Sequence, residues 1–475
     1  PRVSAPFLNL TPGGEGACPY DIGMTAPKGI CSALLGAAAL LWLGTFAETA
    51  QAGGFAVHEQ STTYLGTAFA GSAAGGDISS MFWNPAAAAA GPGCSTASSY
   101  SLILGRSDER ADGGLFGSGV PVAPGITAPP LSPQSTDIGS DPLVPASYLT
   151  CQLSSSLFIG LALNSPFGLL TKPDDRGWAG SPIAVTSKVF TANLNPTIAY
   201  KVTPTLTVGA GVQVEYFHLR LTHGAFPLPL GPLPLSGSRE YEAEDVGWGG
   251  TAGVLWQPLP GTSVGLGYRS AVGIDVGGWF RRDASVTSGP AVSTHAEADL
   301  TLPEQVTLSF RQAVAPKWTV LGTVEWTNWS RLGDVAATGS GCGPTRVCEV
   351  LNLNYRDGWF YSLGAEYAYT PGITLRAGVA YETSPITDRT RDILVPDSNR
   401  VFLSAGASYQ YSEQIILDLA YAHIFFEDAS FCMASAAANG GSTHCRSSTP
   451  PGAVLLRGDS DSAADIVSLG LRYRF

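Results

Sequence analysis

The clearest regularity along the chain is a period of two. In the final segment Leu469, Leu471, Tyr473 and Phe475 alternate with Gly470, Arg472 and Arg474. Upstream, Ile373, Leu375, Ala377, Val379 and Tyr381 interleave with Thr374, Arg376, Gly378, Ala380 and Glu382. Leu206, Val208, Ala210, Val212 and Val214 do the same with Thr207, Gly209, Gly211, Gln213 and Glu215. Successive side chains of a strand point to opposite faces, so each segment has one apolar face and one polar or very small face. A soluble sandwich shares that pattern, and three further features favour a membrane barrel. The segments run to about ten residues or more, the length a tilted strand needs to cross a bilayer. Short connections (154–156, 203–205, 260–262, 315–317, 370–372, 412–414) alternate with long ones (107–143, 166–185, 224–240, 284–291, 334–350, 386–397, 428–460). Short turns at one end and long loops at the other are the layout of outer-membrane barrels. The chain also ends on an alternating strand, which suits closure without a free edge. Six short and seven long connections predict an all-β, 14-stranded antiparallel transmembrane β-barrel over 93–475.

The front of the chain has no such rhythm. Ile30 to Ala47 is uncharged, follows Lys28 and is followed by Ala50-Gln51-Ala52, a small-residue cleavage pattern. This predicts a signal peptide over 24–52 opening at Met24, with 1–23 as upstream sequence and Gly53 as the mature N-terminus. Residues 53–92 are rich in Gly, Ala and Ser, yet carry Phe55, Tyr64, Phe69, Phe82 and Trp83 and only Glu59 and Asp77 as charges other than histidine. Irregular backbone is tolerated at membrane depth only inside protein. A barrel of this size encloses an aqueous lumen unless something fills it. The segment is therefore expected to be a plug in the lumen; tails that stay disordered are polar or charged.

Composition narrows the function. Charged residues are 13% of 475, and the net charge of −12 with no basic cluster argues against nucleic acid as a partner. The six histidines show no catalytic motif pairing, which argues against an enzyme. Removal of the leader leaves six cysteines. Cys342 and Cys348 share one long loop, Cys432 and Cys445 another, and Cys94 and Cys151 lie near one rim of the first hairpin; disulfides within these three pairs are expected in an exported protein. No CxxC or Cys/His cluster points to a metal, and no cofactor is expected.

The segment "GGFAVHEQSTTYLGTAFAGSAAGGDISSMFWNPA" resembles the N-terminal hatch of the FadL family of outer-membrane long-chain fatty acid transporters, with its Asn-Pro-Ala motif at Asn84-Pro85-Ala86. The similarity continues through "GWAGSP" (177–182), "NLNPTIAYKVTPTLTVGAGV" (193–212), "LPEQVTLSF" (302–310) and "WTNWS" (326–330), and is densest over 362–411. It implies a plugged barrel that takes up hydrophobic substrate at its outer loops, holds it in an internal pocket and releases it sideways where the third strand is kinked. That strand maps to 157–165, followed by Pro166-Phe167-Gly168, where Pro cannot donate a ladder hydrogen bond. Asn84 is expected either to cap backbone groups left unpaired there or to form an Asn-Pro turn. Phe226, Leu228, Leu230, Leu233 and Leu235, set among prolines in the loop 224–240, form an apolar cluster suited to capture; packing into neighbouring loops is the alternative. The family's loop in this region is longer and part-helical, so the capture groove need not match. Arg376, Arg391 and Arg400 are candidate partners for a substrate carboxylate, with Arg356 nearby, or else solvated lumen lining. The expected partners are a hydrophobic small molecule and outer-membrane lipid with lipopolysaccharide, and the protein is expected to act as a monomer. Aromatic hydrocarbon uptake by the same fold, and a structural or adhesive barrel, stand as alternatives.

Overall fold

The alternating segments pair into one closed sheet. The protein is described here by a computed structural model that covers residues 54–475, apart from 119, 124–125, 129, 136, 174–176, 226–236, 286–288, 436–437 and 441. The expected leader and upstream extension, and the Leu-Pro cluster Phe226, Leu228, Leu230, Leu233 and Leu235, lie outside the described residues. Fourteen spanning strands form the wall. They are β1 (Cys94–Gly113), β2 (Leu143–Gln152), β3 (Leu157–Asn164 and Gly168–Thr171), β4 (Thr186–Thr203), β5 (Leu206–His223), β6 (Arg239–Trp256) and β7 (Thr262–Arg269 and Val272–Arg282). They continue as β8 (Val292–Leu302 and Gln305–Ala315), β9 (Trp318–Thr327 and Asp334–Thr338), β10 (Val347–Asn352 and Gly358–Thr370) and β11 (Ile373–Thr383). The last are β12 (Arg400–Gln410), β13 (Ile415–Phe426 and Ala429–Ala434) and β14 (Val454–Arg474). Each strand is antiparallel to the next, and β14 closes on β1 from Ser95↔Arg474 to Ala111↔Gly458. The amide of Phe475 donates to the Cys94 carbonyl at 2.9 Å, so the last residue completes the seam.

The short connections fall where expected, but several strands run on into the expected long loops, as β1 does to Gly113 and β9 and β10 do over 334–338 and 347–352. Beyond the hydrocarbon layer the outer face has no reason to be apolar, so the ladder continues after its sequence pattern has faded. Aromatic side chains mark both ends of the apolar outer band: Trp256, Trp318 and Tyr411 by the short turns, Trp359, Tyr381 and Phe425 toward the long loops, all exposed. Disulfides join Cys94–Cys151 across the β1–β2 ladder, Cys342–Cys348 between β9 and β10, and Cys432–Cys445 from β13 into the following loop.

Residues 54–92 fill the lumen. One helical turn, α1 (Thr62–Leu65), and two 3₁₀ turns (Ile78–Phe82, Pro85–Ala89) are capped by the side chains of Ser61, Asp77 and Asn84. Such oxygens satisfy amides that a short helix leaves unpaired. Tyr64, Phe69, Phe82 and Trp83 are all nearly inaccessible to solvent. The tiny residues of the inner face explain how the hatch fits: at Gly265, Gly267 and Gly378 a side chain would collide with the carbonyls of Ala73, Trp83 and Thr67. Glycine lets the two backbones touch.

Candidate functional site

The ladder between β2 and β3 stops early. It runs from Gln152↔Phe158 to Ser147↔Leu163, and Leu143–Ala146 of β2 have no partner on β3. The outer piece of β3, Gly168–Thr171, pairs only with β4. The wall is thus interrupted at Ser165-Pro166-Phe167, facing a β2 edge that carries Pro145. A buried break must still satisfy its backbone groups, and the hatch does so. Val57 N–H donates to the Pro166 carbonyl (2.8 Å), and Gly168 N–H to the Phe55 carbonyl (2.7 Å). Gln60 Nε2 donates to the carbonyls of Ser165 (2.8 Å) and Val57 (3.0 Å), and its Oε1 accepts from Ser165 N–H (3.4 Å). The Gln60 carbonyl accepts from the Tyr148 hydroxyl, which in turn accepts from Asn164 Nδ2. Residues 55–57 therefore act as a short strand added to β3 from inside the barrel.

Next to this break lies an apolar cavity of about 60 Å³. Its lining includes Phe55 of the hatch, Leu169 of β3, Phe217 and Leu219 of β5, and Leu394 and Val395 of the loop 384–399. Glu349 is its one acidic lining residue. Its Oε2 stands 3.3 Å from Arg239 Nε and 3.6 Å from His223 Nε2, and neither nitrogen has a hydrogen-bond partner among the described residues. The loop 384–399 touches all parts of the site. Leu394 O accepts from Thr171 Oγ1 of β3 (3.1 Å), and Asp397 Oδ2 accepts from Gly54 N–H of the hatch (2.9 Å).

A polar belt lies against the aromatic core of the hatch, where His58 packs on Phe69 and Phe360. His58 lies 3.3 Å from Glu382 and 3.8 Å from Glu325, and Arg400 makes a double hydrogen bond to Glu382 Oε2 (2.8 and 2.6 Å). Burial alone would lower the His58 pKa, but Glu382 above all, with Glu325 and Glu59, outweighs it and pushes it up to about 9.

The expected site residues take the following positions. Pro166, Phe167 and Gly168 do sit at the strand break, but Asn84, Pro85 and Ala86 do not. Asn84 accepts from Ala86 N–H and donates to the carbonyls of Ala73 (2.8 Å) and of Val254 on β6 (2.9 Å), three strands from the break. The residue that caps β3 is Gln60. It carried no distinguishing sequence signal, being one of two side-chain amides in the hatch, the other Asn84. The three arginines proposed for a substrate carboxylate do not meet at the cavity, because each has protein partners. Arg376 pairs with Glu366 (3.0 Å) and faces Asp418 (3.8 Å), and Arg391 binds Asp388 and the carbonyls of Asp397 and Ser430. Arg400 belongs to the belt, and Arg356 donates to the Ser384 carbonyl. Arg239, which meets the cavity-lining Glu349, opens β6 and lacked a sequence signal because residues far apart in the chain surround it. Among the described residues no group of three or more His, Cys, Asp or Glu side chains is arranged to hold a metal ion.

Comparison with known proteins agrees with this architecture. The Salmonella typhi long-chain fatty acid transport protein is 25% identical over 402 residues, covering 78% of this chain and 87% of that one. A Pseudomonas aeruginosa FadL homologue superimposes with a TM-score of 0.75 at 22% identity, over 89% of this chain and all of that one. The Ralstonia pickettii toluene transporter TbuX does so with a TM-score of 0.62 at 17% identity, over 88% and 99%. The family described as outer membrane protein transport protein (OMPP1/FadL/TodX) matches residues 43–475. With its hatch-filled, 14-stranded barrel, the chain belongs to this family of outer-membrane transporters of hydrophobic compounds.

Proposed function

We propose that the protein carries long-chain fatty acids inward by passive diffusion, from the outer loops through the apolar cavity to the break in β3. The carrying observation is the adjacency of an almost wholly apolar cavity to a gap in the wall whose backbone is held by hatch residues rather than by β2. Moving an acyl tail from water into such a cavity is favourable by about 0.8 kcal/mol per buried CH₂, so successive apolar sites need no energy source. A carboxylate reaching Arg239 and His223 would exchange with Glu349. That cluster favours an acid over a neutral hydrocarbon, as does the name of the Salmonella relative. The test is import of labelled oleate and labelled toluene by cells with and without the protein, with Arg239→Ala alongside. Oleate import that depends on the protein and weakens in the variant supports the reading. Import of toluene alone, indifferent to Arg239, replaces it with aromatic hydrocarbon uptake.

A further inference from the structure

Phe167, Trp329 and Tyr355 each stand where a strand is interrupted. Phe167 lies in the break of β3, Trp329 in the turn Trp329–Arg331 that splits β9, and Tyr355 between the two pieces of β10. A continuous strand alternates its side chains strictly between faces; an interruption frees the chain to send a large ring into the lumen. The three rings and Phe55 meet edge to face. Trp329 is 4.8 Å from Phe55, 6.0 Å from Phe167 and 6.2 Å from Tyr355, and Phe55 is 5.9 Å from Phe167. Phe55 and Tyr355 line the cavity, Phe167 is in the gap, and the Trp329 indole touches all three.

The two sides of this cluster are built differently. Trp329 belongs to the wall: its turn is closed by Leu332 N–H on the Trp329 carbonyl (2.9 Å) and tied to β8 by Asn328 N–H on the Glu304 carbonyl (3.0 Å) and by the Arg331–Glu304 ion pair. The opposing side is the start of the hatch. Gly54, at φ +62°, lies so close to the indole that a Cβ there would stand 3.1 Å from Trp329 Cζ2. It is held by the hydrogen bond to Asp397 described above.

We propose that Trp329 is a size-selecting residue of the exit path, a fixed indole against which Gly54 and Phe55 close to leave a slot for an unbranched chain but not for a bulkier hydrophobe. The inference rests on the transport reading above. Shape discrimination in apolar pockets is set by such contacts, where small changes in room alter rates by about one to two orders of magnitude.

The test uses the full-length protein in cells lacking other fatty acid uptake, with labelled oleate and pyrenedodecanoate, whose tail ends in a bulky ring system. Trp329→Ala is expected to raise pyrenedodecanoate import relative to oleate by about tenfold, and Trp329→Phe to keep most of the wild-type ratio. Gly54→Ala, which displaces the hatch from the indole and leaves the wall intact, should shift the ratio in the same direction and carries the test if Trp329→Ala fails to assemble. Conductance to small ions should stay low throughout. An unchanged ratio in the assembled variants, or a rise matched by a general ion leak, overturns the proposal alone. Absence of oleate import by the wild type removes the transport reading and this proposal with it.

Discussion

Gln60 and His58 tie the start of the hatch to the wall, one by neutral hydrogen bonds and the other by charge. Gln60→Ala would leave the Ser165 carbonyl and amide buried without partners, a loss of about 1–3 kcal/mol per group. That is enough to loosen residues 55–57 from β3 but small against the whole barrel, so bilayer recordings should show more frequent openings from a fully folded protein. Asn84→Ala, which frees the hatch from β6 instead, should leave amide exchange at 55–57 close to wild type. For His58 the sign follows from linkage: a group whose folded pKa lies above its ordinary 6.5 contributes stability in full below that value and loses it as pH rises through the folded pKa, here about 9. Protection factors of the hatch amides, corrected for the base-catalysed intrinsic rate, should accordingly be lower above pH 9 than at pH 6, and His58→Gln should flatten that dependence. Neither residue carried a motif. Asn84 did, and its Asn-Pro-Ala signature proved to be a helix cap joined to β6. A side chain's type states which hydrogen bonds it can make; which backbone groups are left needing them is settled by strands far away in the chain.

At the scale of elements, the interruptions matter more than the strands. An unbroken β3 would continue pairing with β2 and close the wall, and an unbroken β9 would leave the Trp329 indole without its turn into the lumen. The hatch is the element that converts these defects into a closed path, since it supplies Phe55, Val57 and Gln60 to β3. Deleting 53–92 should therefore raise conductance strongly and admit small polar solutes while heat-modifiable migration persists. A deletion protein that stays sealed would show that the loops, not the hatch, close the pore. The Pro at 166 was a visible sign of the β3 break because it removes a donor. The break in β8 carries Pro303 and had the same sign, whereas those in β7, β9 and β10 contain no proline to mark them.

For the whole molecule, closure dominates. Every strand has two neighbours, the last pairs with the first, and the strands rather than the disulfides carry the wall. Reduction of Cys94–Cys151, Cys342–Cys348 and Cys432–Cys445 should leave the unboiled gel band in its fast-migrating position, and heat should remain necessary to unfold it; loss of that band on reduction alone would assign the disulfides a larger role. The fold itself was written in the sequence, because a strand facing lipid on one side must alternate, and short turns must alternate with long loops when a chain crosses a membrane repeatedly. The plug was legible too, as apolar irregular chain has nowhere else to be at membrane depth. Tertiary structure alone decided which residues make the path. Gln60 meets Ser165, Phe55 meets Trp329, and Arg239 meets Glu349 only after the sheet has closed around the hatch. Local patterns record how a residue relates to its neighbours in sequence and to solvent. Contacts between distant strands follow from the curvature and register of the whole barrel, which no single segment contains.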